Sequence, residues 1–239
     1  MGQAIVTGAT SGIGRAISEA LAAEGHRVLA IGRNPVALAD LNGIAGITAI
    51  AVDLTDPSEL TRALKDQEAD ILVNNAGIVS APGPFADCDP GSIAMAIAVN
   101  VTAQMTLTRL VLPGMVARGR GHIFFTGSVA GHAPVANMAV YAATKHALGG
   151  FAQSLRLEVQ DRGLRVTELV AGRVQTDLYR DVLSEDQRRA MYETGTLQPS
   201  DVAQCVLLAL NLPDHAQVAR LDIVPAQASS RVPLSEGKR

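Results

Sequence analysis

Tyr141 and Lys145 lie in the run Tyr141-Ala-Ala-Thr-Lys145, with Ser128 upstream. A spacing of i and i+4 places phenol and ammonium on one face of a helix. An ammonium beside a phenol favours the phenolate, so the pair predicts a tyrosine pKa below its reference of about 10. Such a group donates or accepts a proton near neutral pH. The same spacing occurs on many amphipathic helices, so the rest of the chain must decide between chemistry and surface pattern.

A second chemical signal stands at the amino terminus. The first apolar run leads directly into Thr7-Gly8-Ala9-Thr10-Ser11-Gly12-Ile13-Gly14 and then into a helical pattern. Glycines allow a tight turn and a close backbone approach to phosphate, and a helix amino terminus offers free N–H groups. Gly8, Thr10, Ser11, Gly12, Ile13 and Gly14 are therefore the candidate pyrophosphate cradle, although the spacing is GxxxGxG and not GxGxxG. Dinucleotide sites place an acidic residue at the end of the second strand to bind ribose hydroxyls. Here that strand ends Leu29-Ala30-Ile31-Gly32-Arg33-Asn34, without a carboxylate. The planar fork of Arg33 matches a 2′-phosphate, so the sequence favours NADP over NAD, with a solvated arginine as the plainer alternative.

The elements that must position these groups alternate along the whole length. Strands are predicted at Ala4–Val6, Arg27–Ile31, Ile47–Val52, Ile71–Val73, His122–Thr126, Arg165–Val170 and Leu221–Val224. Helices are predicted at 12–24, 35–42, 57–66, 89–117, 140–162 and 199–211. This alternation implies one α/β domain over residues 1–239, a doubly wound parallel seven-stranded sheet with helices on both faces (a Rossmann fold). Ligands bind such sheets at the carboxyl ends of the strands. Residues 172–198 form a long polar connection there, with a helical pattern around Glu185–Tyr192, and read as a lid. The tail 226–239 is small and polar and reads either as disordered or, the reading favoured, as a partly ordered arm packed on a neighbouring subunit.

Bulk properties exclude several classes. The chain has 239 residues, 48% hydrophobic and 18% charged, which suits a globular domain with a sizeable core. A net charge of −3 without a Lys/Arg cluster argues against nucleic acid. Cys88 and Cys205 stand in no metal-ligand spacing, so a reduced cytoplasmic setting and no metal are expected. An apolar strand near the first residue leaves no room for a signal peptide, and Val6 breaks the myristoylation pattern that Gly2 begins. No apolar run is expected to span a bilayer.

Four patterns occur in order: Thr7–Gly14, Asn74-Asn75-Ala76-Gly77, Asn100, and Ser128 with Tyr141 and Lys145. Together they resemble the short-chain dehydrogenase/reductase family, over about Ala4 to Val224. The resemblance implies that Tyr141 is the general acid/base and that Ser128 binds the substrate oxygen. It further implies that Lys145 lowers the tyrosine pKa and holds the nicotinamide ribose, and that Asn100 helps to hold a water relay from the lysine. Asn75, Ala76 and Gly77 would close the adenosine side, with Asn34, Asp53 and Leu54 near the adenine end. Gly172, Val174 and Thr176 would flank the nicotinamide. Family members usually carry Pro-Gly where this chain has Ala171-Gly172, which leaves that turn freer in the unfolded chain.

Within the family, Leu110–Val116, Leu197–Ala203, Leu212–His215 and Leu221–Pro225 resemble 3-hydroxy-acid (serine-type) dehydrogenases and clavulanic-aldehyde-type reductases. The resemblance implies a small carbonyl or alcohol substrate and a homotetramer or dimer. An acidic substrate needs a cation, for which Arg180, then Arg173, is the candidate. Val129, His132, Ala133 and Val135 are expected to line a small mixed pocket, His132 as a wall residue. Leu148, Phe151, Leu155 and Val159 follow helical spacing as core or interface. The rival readings are a 3-oxoacyl thioester reductase and a non-catalytic NADP-binding regulator.

Overall fold

A computed structural model describes residues 2–193 and 195–227; of the predicted tail, only Ala226 and Gln227 fall within them. Seven strands form one parallel sheet: β1 (Gln3–Thr7), β2 (Arg27–Gly32), β3 (Ile47–Ala51), β4 (Ile71–Asn74), β5 (Gly121–Ser128), β6 (Leu164–Ala171) and β7 (Arg220–Ile223). Their order is β3-β2-β1-β4-β5-β6-β7. The order reverses between β1 and β4, the position at which such sheets open a ligand crevice.

Strand alternation explains the two cores. Ala4 and Val6 pack on one face with Val28, Ala30 and Phe124, whereas Ile5 packs on the other with Leu29, Ile31 and Phe125. The first face is covered by α1 (Gly12–Ala23), α2 (Pro35–Asn42) and α8 (Pro199–Leu210), through Ile17, Leu21, Leu41, Val202 and Val206. The second is covered by α3 (Pro57–Leu64), α5 (Ala103–Arg118) and α6 (Ala139–Val159), through Leu60, Leu107, Met115 and Leu148. Both faces are thus apolar, as a fully covered parallel sheet requires. Each fully buried Leu, Ile or Phe side chain contributes roughly 1.5–3 kcal/mol.

Two expectations are corrected. The helix predicted at 89–117 is divided into α4 (Pro90–Ile97), a π-helical turn (Ala98–Thr102) and α5. The run Pro90–Arg118 is also long and apolar enough to cross a membrane, contrary to the expectation that none would be. Its buried residues Leu107, Val111 and Met115 belong to the core, and Pro113 and Arg109 interrupt its apolar character, so it is a central helix of the domain. The ambiguity on α6 resolves as well. Leu148, Leu155 and Val159 are core, and Phe151 packs edge-on against Phe125.

Candidate active site

The carboxyl ends of β1 to β6 open into one cavity of about 2210 Å³ that runs from Arg33 to the lid. Gly8 to Ile13 form its floor, apart from Ala9. Positive φ angles at Gly8 (64°) and Gly12 (51°) turn the chain into α1, conformations that favour glycine. A Cβ on Gly14 would lie 2.3 Å from the Gly8 carbonyl oxygen, so only hydrogen fits beneath the turn. Gly14 itself does not line the cavity. The helices α2, α3 and α4 are capped by the side chains of Asn34, Asp56 and Asp89, but Ser11 makes no such bond to α1. The first N–H groups of α1 therefore face the cavity unpaired by a cap, as an anion-binding helix end requires. These features fit a dinucleotide pyrophosphate, which Gly8 and Thr10–Ile13 would hold.

The floor is tied to β4 by Thr7. Its hydroxyl donates to the Val73 carbonyl (3.3 Å) and accepts from the N–H groups of Asn75 (3.1 Å) and Ala76 (3.2 Å). Asn75 Nδ2 donates to the Thr7 carbonyl at 3.0 Å, and Asn75 Oδ1 accepts from Thr126 at 3.2 Å. Asn74 is turned inward, its Nδ2 donating to Thr108. At the far end of the cavity, Arg33, Asn34, Asp53 and Leu54 line one wall. Asn34 spends its side chain capping α2, and Asp53 accepts from the N–H and hydroxyl of Thr55. Those bonds, with help from Arg33, hold the Asp53 carboxyl below the usual range.

Ser128, Tyr141 and Lys145 converge on the same cavity, as do Ala76 and Gly77. Ser128 Oγ accepts from the Ala130 N–H at 3.2 Å, so this residue also caps the turn after β5. Lys145 is buried, with Nζ donating to the Thr126 carbonyl at 2.7 Å and lying 5.7 Å from the Tyr141 ring centroid. Burial lowers the Lys145 pKa to about 8, against the pull of Glu168. Asn100 does not line the cavity. It sits behind Gly77, fixed by bonds to both backbone groups of Ile78 (2.8 and 2.9 Å) and to Thr144 (3.1 Å). A Cβ on Gly77 would lie 3.4 Å from Asn100 Oδ1 and 3.8 Å from Lys145 Nζ, so Gly77 brings the two together. Asn100 stands in the π turn, a local widening common at functional sites.

The expected fall in the Tyr141 pKa is corrected. Burial raises it, with Tyr179 adding to the rise and the Ser128 hydroxyl opposing it. The Lys145 ammonium points at the Thr126 carbonyl and not at the phenolic oxygen, so desolvation wins. At neutral pH the phenol is protonated.

Gly172, Val174 and Thr176 form the third wall. The turn at Ala171 is well anchored: the Gly172 N–H donates to the Ile223 carbonyl, and Val174 pairs with Leu197, whose N–H donates to the Arg173 carbonyl and whose carbonyl accepts from the Gln175 N–H, both at 2.9 Å. The lid continues through a short turn (Asp177–Tyr179) into α7 (Glu185–Tyr192), whose amino terminus carries a capping box of Ser184 and Gln187. Arg180 lines the cavity and pairs with Asp177; Arg173 donates to the Met191 carbonyl at 2.9 Å. Val129 and Val135 line the cavity, but His132 and Ala133 do not. His132 turns away because its ring is held by Glu168. Tyr179, Glu168 and Thr144 were not anticipated. Only Glu168 carried a signal, as a carboxylate in the middle of a strand between Val166 and the apolar run Leu169-Val170-Ala171.

A family model described as short chain dehydrogenase matches residues 3–187. The chain belongs to that family. It is 44% identical over 224 residues to a short-chain type dehydrogenase/reductase of Sinorhizobium fredii, covering 93% of this chain and 90% of the relative. It is 32% identical to an NADP-dependent 3-hydroxy acid dehydrogenase of Escherichia coli, covering 94% and 95%. A serine dehydrogenase solved in closed form with NADP+ superposes with a TM-score of 0.90 at 30% identity, covering 98% of this chain and 99% of that one. This short-chain dehydrogenase is an oxidoreductase of the Rossmann fold, as its sequence implies.

Proposed function

We propose that this oxidoreductase uses NADP to interconvert a small carbonyl compound and its alcohol, with Tyr141 as general acid/base. The observation that carries this reading is the single cavity joining the uncapped end of α1 to Ser128, Tyr141 and Lys145. When bound, the nicotinamide supplies or accepts the hydride. The Tyr141 phenol, protonated through burial, gives its proton to the substrate oxygen as negative charge grows there. Ser128 donates to the same oxygen, and the two form a preorganised polar clamp. The Lys145 ammonium, predominantly charged at pH 7, stabilises the phenolate left behind. Asn100 ties the Ile78 backbone to the Thr144 hydroxyl one residue before Lys145, and we assign to it support of a water relay to the lysine.

Arg33 at the end of β2 supports NADP over NAD, in line with the NADP named for two relatives. Arg180 on the cavity wall is the cation we assign to an anionic substrate group, which makes short 3-oxo or 3-hydroxy acids the first candidates. Met95, Ile97, Leu110 and Leu157 leave apolar surface on α4, α5 and α6, which supports a homo-oligomer built on those helices. The two free thiols suit the cytoplasm. The test is a panel of hydroxy acids, aldehydes, ketones and acyl thioesters with NADPH/NADP and NADH/NAD. Turnover of a small acid with an NADP preference is expected. NADPH binding without turnover of any compound would favour the regulator reading, and a clear NADH preference would refute the cofactor assignment.

A further inference from the structure

The lid helix α7 has two working faces. Asp186, Gln187, Ala190 and Met191 line the main cavity, whereas Glu185, Arg188, Arg189 and Tyr192 line a separate cleft of about 390 Å³ on its other side. Both sets follow helical spacing, so any shift of α7 moves all four cavity-facing residues together. The bonds at its amino terminus are local. The capping box joins Ser184 to Gln187, and Arg189 pairs with Glu185 and Asp186. Among the described residues, the hydrogen bonds that tie α7 to another segment are made at its last turn.

Two bonds hold that turn. The Tyr192 hydroxyl donates to the Thr176 carbonyl at 2.7 Å, and Arg173 Nη1 donates to the Met191 carbonyl at 2.9 Å. The Thr176 N–H also faces the phenolic oxygen, at 3.5 Å, so the shorter bond carries the contact. Thr176 lines both the main cavity and the cleft and forms the wall between them. On its cavity side it lies against the phosphate turn, since a Cβ on Gly12 would stand 3.0 Å from Thr176 Cγ2. Its own hydroxyl accepts from the Leu178 N–H at 3.3 Å. One residue thus meets the glycine floor on one side and the lid helix on the other.

We propose that Tyr192 is a positioning residue: its hydroxyl latches α7 to the Thr176 backbone, so that a cofactor ordering Thr176 also sets Gln187 and Met191 over the cavity. Tyr192 does not line the cavity and acts through Thr176. The coupling to cofactor rests on the NADP reading above; the latch itself does not. A ligand on the Gly12 floor bears on the cavity side of Thr176, and the phenol holds the same residue from the cleft side. Without the hydroxyl, α7 keeps the Arg173 bond to Met191 but loses its direct tie to the wall beside the phosphate turn.

Tyr192→Phe keeps the half-buried ring and removes only the hydroxyl. Amide hydrogen exchange, read by mass spectrometry, compares the two proteins with and without NADPH. Without cofactor, peptides covering residues 177–192 should exchange about two- to tenfold faster in Y192F, the factor expected for one neutral hydrogen bond. NADPH should slow the same peptides in the wild type, and Y192F should lose most of that slowing. Equal lid rates in the two cofactor-free proteins overturn the latch. Faster lid exchange with the NADPH slowing intact overturns the coupling, because a merely structural role would leave the slowing in place. If Y192F does not fold, wild-type lid peptides that bound NADPH fails to slow overturn it. Fluorescence titration shows whether NADPH binds. A wild type that does not bind it would refute the cofactor reading, while the cofactor-free comparison still tests the latch.

Discussion

Acid should destabilise this protein through one imidazole remote from the lysine and tyrosine. His122, at the start of β5, is 2% exposed and stacks on Phe124 with ring centroids 4.0 Å apart. Thr167 gives its hydroxyl proton to the Val218 carbonyl at 2.6 Å, so it must accept from His122 Nε2 at 2.8 Å. Nδ1 is buried without a partner. A second proton would have to sit there, in an apolar setting and under the repulsion of Arg165. The pKa is accordingly lowered from 6.5 to about 3, chiefly by desolvation. Between those two values the unfolded chain binds this proton and the folded chain does not, so stability rises with pH across that window and is lost as the pH falls. At pH 4 the protein has crossed about 2.5 pH units of it, and at about 1.36 kcal/mol per unit the loss is about 3 kcal/mol relative to pH 8. Denaturant unfolding at fixed protein concentration, at pH 4 and pH 8, measures it in wild type and in His122→Phe. The variant keeps the stacked ring and lacks the titration, so its loss between the two pH values should be smaller by about 3 kcal/mol. Its lower baseline stability cancels in that comparison. Equal losses in the two proteins would refute the reasoning.

Tyr141→Phe should reduce turnover at least about a thousandfold while NADPH affinity stays within a few-fold, because the phenolic proton and not the ring is removed; steady-state rates and fluorescence titration separate the two effects. Gly14→Ala sets a methyl 2.3 Å from the Gly8 oxygen and should weaken NADPH binding more than tenfold in a protein that still folds, read by the same titration with circular dichroism as the control. Arg33→Ala should cost NADPH a factor of about ten to a hundred in kcat/KM and leave NADH nearly unchanged, since one charge-assisted contact of about 1.5–3 kcal/mol is lost.

The sheet was legible in the sequence because burial on both faces makes its strands read as short apolar runs, such as Ile71–Asn74 between polar segments. The cavity was legible because glycines and chemically committed side chains mark it at fixed intervals. What escaped was whatever depends on orientation. The spacing of Tyr141 and Lys145 gives a shared helix face and says nothing of the Thr126 carbonyl that claims the ammonium, so the direction of the tyrosine shift was misread. His132 lies close in sequence to Ser128, yet a carboxylate from another strand turns it off the cavity. The π turn at Asn100 adds one residue to a helical frame whose apolar pattern reads as unbroken, and Tyr179 lies in a polar stretch without periodicity.

The lid is stitched at its two feet by the Val174–Leu197 bridge, and the described residues Gln175–Glu193 lie beyond that fixed pair of anchors. The side chains to which we assign proton handling stand on β5, α6 and the π turn before α5, outside this loop. Its stem can therefore stay constant while its contents are exchanged. In engineering terms it is a cassette: grafting the equivalent stretch from a relative with a different preference should transplant specificity without rebuilding the engine underneath.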